Sequence, residues 1–222
     1  MSQLTIEIKQ LREEVIGMWE LVHSQLEKGL SALINFDKDL AREIIMIESR
    51  VNAEELKIDR DCEDIFALYC PVAIDLRFLL AVLKINTNLE RTGDIAEGIA
   101  KMIIDTEQPF KQELLDSTQL IEMFHEATLI VAEILKAFVN EDSASARSIF
   151  RRDELLDNIN KKANSLIVAY VKDHPEDIAQ ALNLLSIIRR LERVGDQAEN
   201  IAEEIIFYLE AKVLKHAKKK EK

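Results

Sequence analysis

Apolar residues recur at helical spacing along almost the whole chain, in six long segments separated by short breaks. The segments cover residues 4–33, 40–68, 72–104, 114–138, 146–171 and 178–209. Apolar side chains that return every three or four residues predict amphipathic helices, each with one face towards a core. The breaks hold residues suited to helix ends, at 35–37, Pro71, 108–109, 140–143 and Pro175. Each predicted helix is about 45 Å long, at about 1.5 Å per residue.

The second half of the chain repeats the first half. Residues 89–100 read LERTGDIAEGIA and residues 191–202 read LERVGDQAENIA, identical at nine of twelve positions and 102 residues apart. A repeat at about half the chain length indicates that a unit of about 100 residues was duplicated. Short connections place neighbouring helices antiparallel. We therefore predict an all-α fold of two tandem, pseudo-symmetric three-helix bundles, formed by residues 1–107 and 108–211, followed by a basic tail at 212–222.

Composition excludes several classes of protein. The chain has 5 Gly and 3 Pro in 222 residues, too few for the many turns of an all-β fold. The net charge of −12 argues against a nucleic-acid partner. No apolar run reaches the roughly 18 residues of a membrane span. The N-terminal segment lacks signal-peptide features, and Cys62 and Cys70 form no CxxC motif, so we expect a cytoplasmic protein with reduced thiols.

Charge is distributed unevenly along the chain. Residues 212–222 contain six Lys and one Glu, a net charge of +5, which leaves −17 on the preceding 211 residues. The tail is interpreted either as a frayed, solvated helix end or as a segment that binds an anionic membrane surface electrostatically. The second interpretation would make the protein peripheral to the inner face of the membrane.

Acidic residues form stripes on four of the predicted helices. In each LER-x-GD helix three acids are spaced by four and three residues, so they share one helix face. The preceding helix of each repeat carries a second stripe, spaced by four, three and four residues and containing Asn52 in the first repeat and Asn160 and Asn164 in the second. In an antiparallel pair these stripes face each other. The resulting candidate metal ligands are Glu48, Glu55, Asp59, Glu90, Asp94 and Glu97 in the first repeat and Asp153, Asp157, Glu192, Asp196 and Glu199 in the second.

Aligned acids need a compensating positive charge. Like charges four residues apart repel by roughly 0.2–0.5 kcal/mol on an exposed helix, and burial increases the cost. Ligand sets made only of oxygens suit hard or borderline cations, for which we expect iron first, with zinc, manganese or magnesium as alternatives. The other interpretation is that Arg91, Arg193 and nearby lysines pair with these acids on a solvated surface.

Two glycines lie inside the acidic helices. Gly93 and Gly195 each occupy a helix interior, where Gly costs about 1 kcal/mol relative to Ala. Glycine at these positions indicates either room for a metal cluster or a closely approaching chain, or else close packing between helices.

A second set of candidate ligands belongs to the first helix of each repeat. Glu20-x-x-His23 and Glu122-x-x-His125 are also 102 residues apart. Two ExxH motifs plus two further Glu form the ligand set of ferritin-like di-iron bundles. Here, however, six helices are predicted rather than four, and the ExxH helices come first in each unit. The alternative is that these are ordinary helix-face residues. The chain contains no P-loop, GxGxxG, GxSxG or HExxH motif.

The duplicated motifs resemble those of the PhoU family, the phosphate-transport accessory and regulatory proteins of bacteria. The resemblance rests on residues 89–94 (LERTGD), 191–196 (LERVGD), 51–59 (VNAEELKID), 73–80 (AIDLRFLL) and 153–157 (DELLD). It spans roughly residues 5–210. It implies tandem three-helix bundles whose E/DXXXD motifs bind multinuclear metal clusters. The asparagines in the stripes depart from that pattern, so metal occupancy is expected to differ between the two halves.

The resemblance also implies a function. PhoU-like proteins repress the phosphate-starvation response when phosphate is plentiful, by linking the phosphate ABC transporter to a sensor histidine kinase. We accordingly expect a homodimeric adaptor, not an enzyme, whose partners are the transporter's ATPase subunit and the kinase. Two alternatives remain: a carboxylate-bridged di-iron oxidase or iron-storage protein of the ferritin type, and a purely structural helical dimer without metal.

Overall fold

A computed structural model describes residues 2–214 of the chain and shows helices at the predicted positions. The helices are α1 (Gln3–Asn35), α2 (Lys38–Tyr69), α3 (Ala73–Asp105), α4 (Gln112–Thr118), α5 (Leu120–Val139), α6 (Ser143–Asp173) and α7 (Ile178–Glu210), with a 3-10 turn at Pro175–Asp177 before α7. Residues 2–214 contain no strand, so the all-α prediction is confirmed. In the same range no helix is both long enough and apolar enough to cross a membrane.

Aspartates at two of the predicted breaks cap the N-termini of the helices that follow. The Asp37 carboxylate accepts hydrogen bonds from the backbone N–H groups of Asp39 and Leu40 and so caps α2. Asp142 caps α6 in the same way, through Ala144 and Ser145. These bonds satisfy N–H groups that have no partner in the first helical turn.

The fourth predicted helix is broken in two. Gln119 has φ of 56°, in the left-handed region, and separates α4 from α5. The sequence gives no signal for this break, because Gln favours helix interiors. The break instead follows from tertiary packing. It allows Leu114 and Leu115 of α4 to be buried where α4 packs against α6, and Leu120 to begin the buried face of α5.

Each repeat forms a three-helix bundle, and the two bundles share one core. Helices α1–α3 pack together, as do α5–α7, while α3 also packs along α7 and α1 against α5. Their buried apolar side chains form one continuous cluster. Trp19 Nε1 donates a hydrogen bond to the Val131 carbonyl across this junction, at 3.2 Å. Nearby, the Phe78 and Tyr208 rings pack edge to face with centroids 5.5 Å apart.

Helices α3 and α7 run antiparallel along the junction. Arg77 Nε, near the start of α3, donates to the Tyr208 carbonyl near the end of α7, at 3.2 Å. Further along, Lys84 Nζ lies 3.0 Å from the carboxylate of Glu204, which is buried. The C-terminal end of α7 therefore lies beside the first turns of α3. Most of the basic tail, residues 215–222, lies outside the described residues, and so does its predicted membrane contact.

Candidate metal centre

Gly93 lets a buried carboxylate from α2 reach the backbone of α3. A Cβ atom at this position would lie 2.6 Å from Glu48 Oε2, 3.2 Å from Gln25 Oε1 and 3.3 Å from Val51 Cγ1. The first of these distances is too short for any real Cβ contact. Glycine here leaves room for a side-chain carboxylate, rather than a second backbone, in the space above α3, and a larger residue would force Glu48 to move.

Glu48 is the buried member of the first acidic stripe. It is only 3% exposed, and the Gln25 amide, from α1, donates a hydrogen bond to Oε2 at 2.7 Å. Its other oxygen, Oε1, is buried and has no hydrogen-bond partner. Burial, opposed by the Gln25 hydrogen bond and reinforced by the nearby charges of Asp94, Glu97 and Glu90, raises the pKa of Glu48 to about 7. A buried carboxylate oxygen without a partner is the feature that a bound cation would satisfy.

The other first-repeat acids surround this position on α2 and α3. Burial first, and then the charges of Asp94 and Glu55, raise the pKa of Glu90. Burial, followed by Asp59 and Asp94, raises the pKa of Glu55 as well. Glu48 of α2 lies against Gly93 of α3, and Asp59 of α2 is bonded to Asn86 of α3, so the two stripes face each other as predicted.

Some first-repeat acids already have partners. The Asn86 amide donates to Asp59 Oδ1 at 2.8 Å, and Lys101 Nζ lies 2.6 Å from Glu97 Oε2. Asn52, the amide in the α2 stripe, is exposed. The first-repeat acids therefore differ in how readily they can act as metal ligands.

The second repeat gathers three carboxylates more tightly. One oxygen from each of Asp153, Asp196 and Glu199 lies within 4.8 Å of the others. Asp153 is buried on α6, Asp196 is exposed and Glu199 is half-buried on α7. A Cβ atom at Gly195 would collide with Asp153 Oδ1, so this glycine also makes room for a carboxylate. The group combines a buried ligand with two that solvent can reach.

The remaining second-repeat candidates lie along the same stripes. Burial first, and then the charges of Asp196 and Asp157, raise the pKa of Glu192, while Arg193 and a hydrogen bond from Asn160 lower it less. Asp157 accepts from Lys161 at 2.9 Å. Asn164, farther along α6, accepts a hydrogen bond from Arg189 at 3.3 Å rather than facing an acid.

The motif arginines compensate the charges of Glu90 and Glu192 only in part. Arg91 lowers the pKa of Glu90, but it comes after burial, Asp94 and Glu55 in size, and all three of those raise it. Arg193 likewise acts less strongly on Glu192 than the neighbouring acids do. At Glu90 and at Glu192, the neighbouring carboxylates therefore raise the pKa more than the motif arginine lowers it. Carboxylate oxygens without thiolates or imidazoles form a donor set that fits hard or borderline cations.

The ExxH residues lie on α1 and α5, and none of them belongs to this three-carboxylate group. Glu20, Glu122 and His125 are exposed, and His23 is half-buried with Nδ1 3.7 Å from Glu27 Oε2. The Asp153 group contains neither histidine. Ligation of a metal by the ExxH motifs remains a prediction.

Sequence reasoning missed Gln25, which holds Glu48 in the first repeat. Gln25 is fully buried among the apolar residues of α1, including Val22 and Leu26. The repeat gives no sign of it, because the residue 102 positions later is Ala127. The available signal was an amide on the apolar face of an amphipathic helix, where a polar group requires a partner.

The sequence profile of the PhoU domain matches the chain twice, over residues 15–103 and 120–205. The chain belongs to the PhoU family. A "Phosphate-specific transport system accessory protein PhoU" from Edwardsiella tarda is 31% identical over 220 residues, covering 97% of this chain and 88% of that relative. Both PhoU matches include an LER-x-GD segment and the acidic helix before it.

Solved PhoU structures share the fold. The crystal structure of PhoU from Pseudomonas aeruginosa superposes with a TM-score of 0.86 at 30% identity, covering 95% of this chain and all of that chain. The "phosphate transport system regulatory protein PhoU" from Streptococcus pneumoniae gives 0.85 at 30% identity, covering 95% of this chain and 99% of that chain. The resemblance of the sequence to the PhoU family is thus confirmed over nearly its full length.

Proposed function

We propose that this chain is a metal-binding regulator of phosphate transport that represses the phosphate-starvation response when phosphate is plentiful. The observation that carries the proposal is membership of the PhoU family over nearly the whole chain, with relatives named as accessory or regulatory proteins of phosphate transport. The paired acidic stripes support the metal-binding part of the proposal.

Metal binding is supported by a buried oxygen without a hydrogen-bond partner in the first repeat and by three neighbouring carboxylates in the second. In the first repeat, the unpartnered Glu48 Oε1 lies below the stripe formed by Glu90, Asp94 and Glu97. In the second repeat Asp153, Asp196 and Glu199 would hold the ion, with Glu192 and Asp157 beside it. A bound cation would neutralise these carboxylates and fix α2 to α3 and α6 to α7.

The two repeats are expected to fill in order. In the first repeat, a cation must compete with the Gln25 hydrogen bond to Glu48 and with the Lys101 ion pair to Glu97. In the second repeat, three carboxylates already lie within 4.8 Å. We therefore expect the second repeat to bind its ion more tightly.

A titration of the metal-free chain with Mn²⁺, followed by electron paramagnetic resonance of the free ion, tests this order. Asp196→Asn should remove the tightest site, whereas Asp94→Asn should remove only a weaker one. Asp173→Asn, at an exposed position outside the stripes, is the matched control and should bind as the wild type. Failure of both Mn²⁺ and Fe²⁺ to bind the wild type at millimolar concentration would reject the metal part of the proposal.

The regulatory part of the proposal is that the chain acts in the cytoplasm as a homodimeric adaptor between the transporter's ATPase subunit and the sensor histidine kinase. Deletion of the gene should derepress a phosphate-starvation reporter in high phosphate. Complementation with the Asp94→Ala, Asp196→Ala double variant then shows whether metal is needed for repression. A deletion strain with normal phosphate uptake and normal repression would contradict the regulatory assignment.

The alternative is a ferritin-type oxidase, which differs from the adaptor in whether it needs the ExxH residues. Catalytic oxidation of Fe²⁺ would require Glu20, His23, Glu122 and His125, whereas an adaptor can lose them. Changing both histidines to Ala should leave repression intact. Loss of a measurable ferroxidase activity in that variant would instead favour the enzyme.

A further inference from the structure

Gln25 is a fully buried amide that connects α1 to α2. Its Nε2 donates to Glu48 Oε2 at 2.7 Å and to the Ile44 carbonyl at 3.3 Å, so both of its N–H bonds are used. These two bonds fix the plane of the amide and leave Gln25 Oε1 buried, 3.2 Å from where a Cβ on Gly93 would lie. Among residues 2–214 this oxygen has no hydrogen-bond partner. A buried amide that is only partly satisfied lowers stability, so packing alone does not account for it.

The second repeat has no counterpart of this amide. The residue 102 positions after Gln25 is Ala127, whose side chain cannot form a hydrogen bond. Because the second bundle forms with Ala127 at this position, the fold does not require an amide there. Gln25 is therefore specific to the first repeat, where its partner is the buried acid of the stripe, Glu48.

Helix α1 also makes close contact with the second repeat on both sides of Gln25. One turn after Gln25, Gly29 lies so close to α5 that an added Cβ would be 2.9 Å from Phe124 Cζ. Two turns before it, Trp19 Nε1 donates to the Val131 carbonyl of α5 at 3.2 Å. Protein interiors are close-packed and transmit small displacements. A change in how α2 holds α1 at Gln25 therefore reaches α5 through direct packing.

The Glu48 carboxylate connects the candidate cation site to Gln25. Its Oε2 accepts the Gln25 hydrogen bond, and in the described part of the chain its Oε1 has no partner. Both oxygens belong to one planar group, so turning Oε1 towards a cation also turns Oε2 relative to the amide. A cation on the carboxylate also draws charge away from Oε2, which makes that oxygen a weaker acceptor.

We propose that Gln25 is a positioning residue that couples cation binding at Glu48 to α1, and through α1 to the second repeat. In the metal-free chain the amide holds Glu48 and α1 together. Cation binding in the first repeat releases this bond, and the contacts of α1 with α5 adjust. The second repeat has Ala127 instead and binds its cation without this effect. The inference rests on the metal-binding part of the proposed function and adds a route by which that binding is sensed.

Trp19 is the only tryptophan of the chain, and it reports on the contact between α1 and α5. Zn²⁺ suits the experiment because it is a borderline cation without redox chemistry. The full-length Asp196→Asn chain, which lacks the tightest second-repeat site, is freed of metal and titrated with Zn²⁺ while Trp19 emission and bound Zn²⁺ are both measured. The emission should change in proportion to the Zn²⁺ bound. Adding Glu48→Gln should abolish both the binding and the response.

Gln25→Met, made in the same Asp196→Asn chain, separates positioning from packing. Met fills a similar volume and adapts to irregular spaces, but it donates no hydrogen bond. Zn²⁺ should bind about tenfold more tightly, because it no longer competes with a hydrogen bond to a charged group, and Trp19 should no longer respond. The matched control is Gln10→Met, which removes an exposed bond of 3.0 Å between Gln10 and Glu14 within α1 and should change neither affinity nor response. If Gln25 served packing alone, Gln25→Met would lower the melting temperature and leave the Trp19 response intact.

The possible failures are distinguishable. Zn²⁺ binding without a change in Trp19 emission would overturn the coupling and leave the proposed function intact. A response that survives Gln25→Met, or that Gln10→Met abolishes, would show that the coupling does not pass through Gln25. Failure of the wild type to bind Zn²⁺ would reject the coupling together with the metal part of the proposed function.

Hydrogen exchange provides a measurement that needs no substitution of the buried amide. In the Asp196→Asn chain, Zn²⁺ should lower the protection of backbone amides in α1 around Gln25, because the contact with α2 is released. Unchanged or increased protection there, with Zn²⁺ bound, would overturn the proposal even if Gln25→Met fails to fold.

Discussion

The contact between Gly93 and Glu48 predicts that Gly93→Ala destabilises the protein, whereas most glycine-to-alanine changes in a helix stabilise it. At an exposed helix position, Ala is more stable than Gly by about 1 kcal/mol. Gly17 on α1 has no heavy atom within 4 Å of an added Cβ, so Gly17→Ala should show this gain in full. At Gly93 the same Cβ meets Glu48 Oε2 at 2.6 Å, with Gln25 and Val51 closing the space beside it.

The magnitude follows from the hydrogen bond that Gly93→Ala must break. Displacing the Glu48 carboxylate loses its 2.7 Å bond from the Gln25 amide. A hydrogen bond to a charged group contributes about 1.5–3 kcal/mol. Set against the helix gain of about 1 kcal/mol, Gly93→Ala should lower the free energy of unfolding by about 1 kcal/mol, whereas Gly17→Ala raises it by a similar amount. Gly195→Ala should cost more, because Asp153 has a shorter side chain than Glu48 and less freedom to move aside.

Urea unfolding of the metal-free protein at pH 8, followed by circular dichroism, measures these differences. Chelator is present throughout, so that loss of a bound ion does not contribute. If Gly93→Ala stabilises the chain as much as Gly17→Ala, the carboxylate is not fixed against α3 and the explanation for both motif glycines is wrong.

Three further predictions follow from individual residues. The pKa of Glu48 is raised to about 7 in the folded chain from an ordinary 4.5, so the folded state holds the extra proton between these values. Metal-free protein should therefore lose up to about 3 kcal/mol of stability as pH rises from about 4.5 to 7, and Glu48→Gln should flatten this dependence in pH-resolved urea titrations. Asp94→Ala with Asp196→Ala should lower the metal content found by elemental analysis while circular dichroism stays unchanged; full retention of metal would refute the ligand assignment. Gln119→Gly should relieve a left-handed residue and raise the melting temperature by about 2–4 °C in calorimetry; a lower melting temperature would refute that interpretation.

The helices and the acidic stripes were predictable because both depend on local spacing. The apolar period of the chain locates each helix, and Asp37 and Asp142 mark two starts by their capping chemistry. The same period places Glu90, Asp94 and Glu97 on one face, and the duplication makes that pattern hard to attribute to chance. Facing stripes then follow from the antiparallel order of α2 and α3.

Features that depend on packing between distant segments were not predictable. The break at Gln119 follows from how α4 meets α6, and no residue at that position marks a helix end. The role of Gln25 depends on where Glu48 lies in three dimensions. The sequence also predicts two tandem bundles, but not that contact of α3 with α7 merges their cores. Periodicity shows that a helix has an apolar face, but not which helix covers it.

The antiparallel seam between α3 and α7 also bears on how such a chain originated. The two repeats pack against each other through equivalent helices, α3 in the first and α7 in the second. This is the arrangement of an isologous dimer interface. A single-repeat ancestor would have closed that face by pairing with an identical copy. With both copies in one chain, their sequences can differ across the axis. The Lys84–Glu204 ion pair records this divergence, because the positions related to it by the 102-residue offset are Met102 and Ser186, which cannot form such a pair. A symmetric dimer would possess this contact twice or not at all; joining the copies in one chain allowed it to exist once.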